Sequence, residues 1–234
     1  MSKCIKCQTK IYIKSCTTNE KGEHHSFDDN PAIEDSGGSR FWHLSGERHR
    51  TDGPAVEHSN GYKEWYLNDK LHRIDGPAIE NSDGSKGWYL NGKLHRADGP
   101  AVEYSNGPKQ WYLNGKFHRT DGPAIEYSNG FKKWYLNGKR HRADGPAIED
   151  SNGSKQWFLK GKRHRTDGPA VEYSNGYKGW YLNGEQLIKI KNQNLEIGKN
   201  IEINNKVGLV LEKINSSIWK ILIGDEKRFV VKEI

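Results

Sequence analysis

The chain has 234 residues, of which only 33% are apolar, yet it holds 26 glycines, 8 tryptophans and 11 tyrosines. Leu, Ile and Val are too scarce for a large globular core, so a thin structure resting on aromatic rings is the expectation, because each ring buries much area. The net charge of +7 is spread thinly: it excludes a strongly basic groove over the body of the chain, with one local exception described below.

The first segment, residues 1–27, opens on Met-Ser-Lys-Cys-Ile-Lys-Cys and lacks the apolar stretch of a signal peptide. No run of eighteen apolar residues occurs, so no membrane-spanning helix is expected. Both points indicate a cytoplasmic protein (host cytoplasm or virion, if viral). Three cysteines crowded at one end make a poor disulfide framework and fit a reducing compartment. Their spacing, Cys4-x2-Cys7-x8-Cys16-x7-His24, is the chain's one metal-like arrangement. Thiolates and an imidazole can complete a tetrahedral zinc site, and structural zinc would order a segment without a core. His25 competes with His24 for that role. The alternative is a tail with free thiols, in which Ile11, Tyr12 and Ile13 enter a first strand.

From residue 28 to 184 the chain repeats itself. Tryptophan recurs every 23 residues at Trp42, Trp65, Trp88, Trp111, Trp134, Trp157 and Trp180. Asp-Gly-Pro follows at the same period from Asp52 to Pro169, and the degenerate Asp29-Asn30-Pro31 lies 23 residues earlier. Each unit contains two Asn-Gly-type dipeptides, such as Asn91-Gly92 and Asn106-Gly107, flanked by Trp, Tyr, Val and Ile. Asn-Gly favours type I′ turns, and the flanking residues favour strands. Two hairpin turns per unit predict one continuous antiparallel meander. A period of this length marks a repeat array.

Turn position sets register. With Asn60-Gly61 as a two-residue loop, Glu57 faces Glu64 and Val56 faces Trp65. With Asn91-Gly92 treated likewise, Trp88 faces His95 and Tyr89 faces Leu94. One face then carries a buried structural ladder of Trp, Val or Ile, Leu and His. The other carries Tyr, Ala, Glu and Arg and is the expected partner-binding face, with Tyr66, Tyr89, Tyr112, Tyr135, Tyr181, Arg73, Arg96 and Arg119. Phe158 stands once in the tyrosine row. Proline cannot donate a ladder hydrogen bond, so each strand must break or bend at Asp-Gly-Pro and curve the sheet.

The 23-residue period, the Tyr89-Leu90-Asn91-Gly92-Lys93 block and the second Asn-Gly resemble the MORN repeat family, particularly its bacterial and viral variant. The resemblance covers about residues 28–184. His-Arg-x-Asp-Gly-Pro-Ala stands where MORN units carry Gly-x-Gly. It implies a β-hairpin solenoid used for protein assembly; phospholipid binding, proposed for some members, has no independent support in these residues.

His, Arg and Asp together invite a catalytic reading. An active site, however, needs one distinctive constellation, and His72-Arg73-Ile74-Asp75 recurs almost unchanged six times. A structural ladder, with His on Trp and Arg paired to Asp or Glu, is the expectation, and no catalytic residue is assigned. The turn-side lysines Lys63, Lys86, Lys109, Lys132, Lys155 and Lys178 read as solvated edges or as a phosphate-binding row. Residues 131–165 hold ten Lys/Arg against three Asp/Glu. This basic patch comprises Lys132, Lys133, Lys139, Arg140, Arg142, Lys162, Arg163 and Arg165.

After Gly184 the composition shifts to Lys, Ile, Asn and Glu. Short strands are expected at 201–203, 206–212, 218–223 and 228–231, as in a small SH3-like barrel that caps the array or docks separately. The sequence therefore predicts an all-β, elongated antiparallel β-hairpin repeat solenoid of seven units with a small C-terminal barrel or cap. Its expected function is a non-enzymatic protein-protein interaction scaffold with no cofactor except structural zinc. The alternatives are a nucleic-acid-binding protein using the basic patch and a structural component of a viral particle or other large assembly. An open sheet edge also allows a homo-oligomer.

Overall fold

The computed structural model describes residues 11–190, 195–203, 206–214, 218–223 and 226–232. Every element among them is a strand or a turn, and none is a helix that could cross a membrane. The fold is an all-β, antiparallel β-hairpin repeat solenoid. Fifteen strands share one sheet and follow one another in chain order. By contact density the chain divides into two compact units, Met1–His118 and Arg119–Ile234.

In the first unit, Ile13–Cys16 forms the outermost strand and pairs with Ile33–Asp35, which pairs with Arg40–Phe41. The degenerate copy before Trp42 is thus a folded hairpin. Asp35 closes it by accepting hydrogen bonds from the Gly37 and Ser39 amides at 2.8 and 2.9 Å. Ile11 and Tyr12 precede the first strand rather than joining it, and Ile13 opens it.

The next hairpin corrects the expected register. His58 N–H donates to the Tyr62 carbonyl at 2.9 Å and Gly61 N–H to the His58 carbonyl at 3.0 Å, enclosing a three-residue loop, Ser59-Asn60-Gly61. Gly61 has φ +89°. A type I turn followed by a left-handed glycine closes such a loop and adds a bulge. The odd loop length slips the register by one residue. Glu57 pairs with Lys63 instead of Glu64, and Val56 with Glu64 instead of Trp65. Opposite charges face each other where like charges were expected, which favours this register.

The other hairpin matches its expected register. Tyr89–Leu90 and Lys93–Leu94 pair through Asn91-Gly92, with φ +50° and +76° as a type I′ turn requires. These hairpins form separate two-stranded ladders instead of continuing the long sheet, so the predicted single meander is in fact two alternating kinds of hairpin. Backbone bonds stitch them to their neighbours. Gly92 N–H donates to the Leu71 carbonyl at 2.8 Å, and Arg73 N–H to the Tyr89 carbonyl at 3.1 Å. The strands do stop at each Arg-x-Asp-Gly-Pro segment, as proline demands.

The alanine after that proline was expected on the open face. It is instead the most deeply buried column: Ala32, Ala55, Ala78 and Ala101 in the first unit, and Ala124, Ala147 and Ala170 in the second, are all 0% exposed. Trp42 is buried with Ala55, Val56 and Tyr66, and the later tryptophans are half-buried.

The second unit repeats this plan and ends in a five-stranded sheet. Its order runs from Ile188–Ile190 through Glu226–Lys232, Ile218–Ile223 and Lys206–Lys213 to Asn200–Ile203. Ile188–Ile190 pairs parallel with Glu226–Lys232, and the other pairs are antiparallel. Four of these strands fall where the sequence placed them. Ile190, Leu195, Val210, Trp219, Ile221 and Val230 form its core. Ile218 and Val231 pack with Leu182 and Leu187, against Trp180. Trp180, the last tryptophan of the repeat, whose unit lacks the His-Arg pair, is thus packed against the C-terminal sheet.

Candidate interaction faces

The His-Arg-x-Asp-Gly-Pro block builds a structural ladder. The Arg73 guanidinium lies 4.0 Å over the Trp65 ring. It donates to Asp75 at 3.0 Å, to the Pro77 carbonyl at 3.2 Å and to Glu80 at 3.1 Å. Arg96, Arg142 and Arg165 repeat this with Trp88, Trp134 and Trp157. The hydrogen bond from Arg73 holds the Asp75 carboxyl below its usual range, as those from Arg96 and Arg119 do for Asp98 and Asp121. A Cβ on Gly76 would stand 2.9 Å from Arg73 Cζ, so a larger residue there displaces the guanidinium. The histidines bond forward to the next hairpin: His72 Nδ1 is 2.8 Å from Asn91 Oδ1.

This corrects the expected assignment of Arg73, Arg96 and Arg119 to the open face. Each is bonded to one aspartate and one glutamate, with about a fifth of its side chain exposed. Grooves separate consecutive ladder loops. One of about 580 Å³ is lined by Arg73, Asp75, Trp88, Leu90, His95 and Asp98. Another of about 530 Å³ is lined by the corresponding residues of two units later.

The tyrosine row is not the open surface expected. Tyr66 is 7% exposed, and Tyr89, Tyr112, Tyr135 and Tyr181 are half-buried. The row packs against the hairpins, and burial pushes the Tyr66 and Tyr89 phenols up. What surrounds it was missed by the sequence reading. Five positions change repeatedly from unit to unit: one, running Thr51, Ile74, Ala97, Thr120, Ala143, Thr166, lies in the ladder loop, and the other four border the tyrosines. One runs Arg48, Leu71, Leu94, Phe117, Arg140, Arg163; Tyr66, Tyr89, Tyr112, Tyr135 and Phe158 pair with the last five. A second runs Glu64, Gly87, Gln110, Lys133, Gln156, Gly179; a Cβ on Gly87 would stand 3.0 Å from the Tyr89 ring. The other two flank the three-residue loops, where His58 meets Tyr62, Tyr127 meets Phe131 and Tyr173 meets Tyr177 at 5.4–5.6 Å between ring centroids. Tyr62 donates to Glu64, and burial with that bond pushes its phenol up. Tyr104, Tyr173 and Tyr177 are the well-exposed rings of this face, at 49, 38 and 47%. Aligning the units and asking which columns vary would have found these positions.

The basic patch divides into two kinds of residue. Arg142 and Arg165 belong to the ladder and bond to Asp144, Glu149, Asp167 and Glu172. Lys133 lies 4.6 Å over the Phe131 ring. Arg140 and Arg163 lie over Phe158 and Tyr181. Lys132, Lys139 and Lys162 are exposed.

At the N-terminal end, Cys4 and Cys7 lie outside the described residues. Cys16 is exposed, and His24 sits 5.7 Å from His43 with the Nδ1 atoms of both rings buried and unbonded. Among the described residues no three His, Cys, Asp or Glu side chains are placed to hold a metal ion.

No family model matches this chain, and no curated protein matches it.

Proposed function

We propose that this chain is a non-enzymatic protein-interaction scaffold, a MORN-like hairpin array whose tyrosine-bearing face takes a protein partner. The observation that carries this reading is a segregation of variable from constant residues. The constant Trp, His, Arg, Asp and Glu engage one another, while four of the five variable positions gather around the tyrosines. A repeat array that needs only to stack has no physical reason to concentrate its variation on one face. Exposed Tyr with interleaved Arg is also the composition of an interface centre. The six-fold recurrence of the one polar constellation argues against catalysis there. Fewer cations are free for nucleic acid than the sequence count suggests, because Arg142 and Arg165 are each held by two carboxylates.

The test is affinity capture from the cells that make the protein, with wild type and a Tyr104→Ala, Tyr173→Ala, Tyr177→Ala variant of equal thermal stability. Partner proteins retained by wild type and lost by the variant are expected. Identical protein sets on both, or retention of nucleic acid alone that weakens steeply with salt, would sink the reading.

A further inference from the structure

Arg48, Arg140 and Arg163 occupy the same position of three repeat units, and among the described residues only Arg48 has a counter-ion. Arg48 Nε donates to Asp69 Oδ1 at 2.7 Å. Asp69 sits in the tight turn of the following unit, where its amide bonds to the Arg48 carbonyl at 3.0 Å. In the units of Arg140 and Arg163 that turn position is Gly161 and Gly184. Their amides make the same bond to the arginine carbonyls, each at 2.8 Å. The backbone is therefore equivalent, but the carboxylate is missing. Among the described residues no carboxylate lies within ion-pair distance of Arg140 or Arg163. Their polar contacts are long: 3.4 Å from Arg140 Nε to the Tyr135 hydroxyl and 3.4 Å from Arg163 Nη2 to Gln156 Oε1. Lys139, Lys160 and Lys162 stand exposed beside the two glycines.

We infer that Arg140 and Arg163 form a paired reading site for the carboxylates of an acidic, extended segment of a protein partner, each carboxylate standing where Asp69 stands beside Arg48. The inference rests on the scaffold reading above and names the partner's chemistry. One repeat advances the sheet by two strand spacings, roughly 9.5 Å. Three residues of an extended chain cover about the same distance. The fitting segment therefore carries an acidic residue at every third position. A guanidinium fork suits a carboxylate bidentately. The aromatic rings favour this occupant over single-stranded nucleic acid, whose bases need open ring faces to stack on. Here Arg140 and Arg163 lie over Phe158, Arg163 over Tyr181 and Lys133 over Phe131.

The experiment uses the full chain and a fluorescein-labelled peptide repeating Glu-Ser-Ser, with a Gln-Ser-Ser peptide and a thymidine oligonucleotide as the other arms. Wild type should bind the Glu peptide and not the Gln peptide. Arg140→Gln and Arg163→Gln should each weaken that binding about tenfold, the loss expected for one charge-assisted pair. Lys86→Gln, an equal change in net charge in the first unit, should leave it unaltered. Gly161→Asp should also weaken it, by placing a carboxylate beside Arg140; a Cβ there meets nothing closer than Lys139 Cβ at 3.6 Å, and the left-handed backbone at φ +86° is one that Asp69 already adopts at φ +57° in the same turn position, with circular dichroism checking that the variant folds. The inference fails if Glu and Gln peptides bind alike, or if Arg140→Gln and Gly161→Asp bind like wild type. If partner proteins still depend on Tyr104, Tyr173 and Tyr177 but not on Arg140, this inference falls and the scaffold stands. If the oligonucleotide alone binds and Arg140→Gln abolishes it, both fall.

Discussion

Arg73, Arg96, Arg142 and Arg165 each cover an indole, pair with two carboxylates and cap a proline carbonyl. The neighbouring glycine leaves the guanidinium its place on the indole. In the unit of Arg96, a Cβ on Gly99 would fall 2.8 Å from the guanidinium carbon. Gly99→Ala must push Arg96 off Trp88, and a loss of about 1–3 kcal/mol is expected from the urea midpoint. The aspartates, about 80% exposed, add little each, since solvent screens such pairs. His43 behaves differently. Burial, then the neighbouring His24, pushes its imidazole below the ordinary 6.5, against opposition from Asp69. A folded value below the unfolded one means that its stabilising share is present above pH 6.5 and is lost as pH falls through the folded value. NMR titration should place His43 below 6.5, and amide protection factors around Trp42, corrected for the slower intrinsic exchange at lower pH, should fall between pH 7 and 5. A His43 titration at or above 6.5 would contradict this.

At the scale of the element, two hairpins of different loop length alternate, and each turn chemistry does a separate job. The two-residue Asn-Gly turn also carries the amide side chain that meets the previous unit's histidine. Asn91→Ala should therefore cost about 1–2 kcal/mol, partly from a left-handed backbone that alanine adopts poorly and partly from the lost His72 contact. His72→Ala in the same background should then cost less than it does in wild type, a coupling that a double-mutant cycle reads directly. The three-residue loop has the opposite tolerance for its flanks. It holds rings as large as Tyr173 and Tyr177 or side chains as small as Ser85, because the flanking residues point to the variable face and the backbone closes without them.

For the molecule as a whole, each repeat bonds mainly to its neighbours, so the units are interchangeable in a way that a globular core is not. Removal of residues 88–110 joins two equivalent positions and should leave a folded protein with native-like near-UV dichroism and a lower melting temperature. The C-terminal sheet is not dispensable in the same sense. Ile218 and Val231 bury Leu182, Leu187 and the flank of Trp180. A chain ending at Gly184 should expose that apolar end, bind a hydrophobic dye more strongly and associate at concentrations where the full chain does not. An unchanged dye signal would show that the sheet does not act as a cap.

The period, the all-β class, the type I′ hairpins and the positions of the C-terminal strands were legible in the residues themselves. They depend on local turn preference and strand propensity, which a short stretch of chain determines alone. Which residues face outward was not legible. The three-residue loop shifts one strand by a single position, and in a structure of period two that exchanges the faces. Ala55 was thereby buried, the tyrosines became a part-buried floor, and Arg73 was drawn onto Trp65. That Arg140 has no carboxylate partner among the described residues is likewise a tertiary fact, because Asp69 and Gly161 hold the same position of two units and only the folded neighbour shows which arginine each one meets.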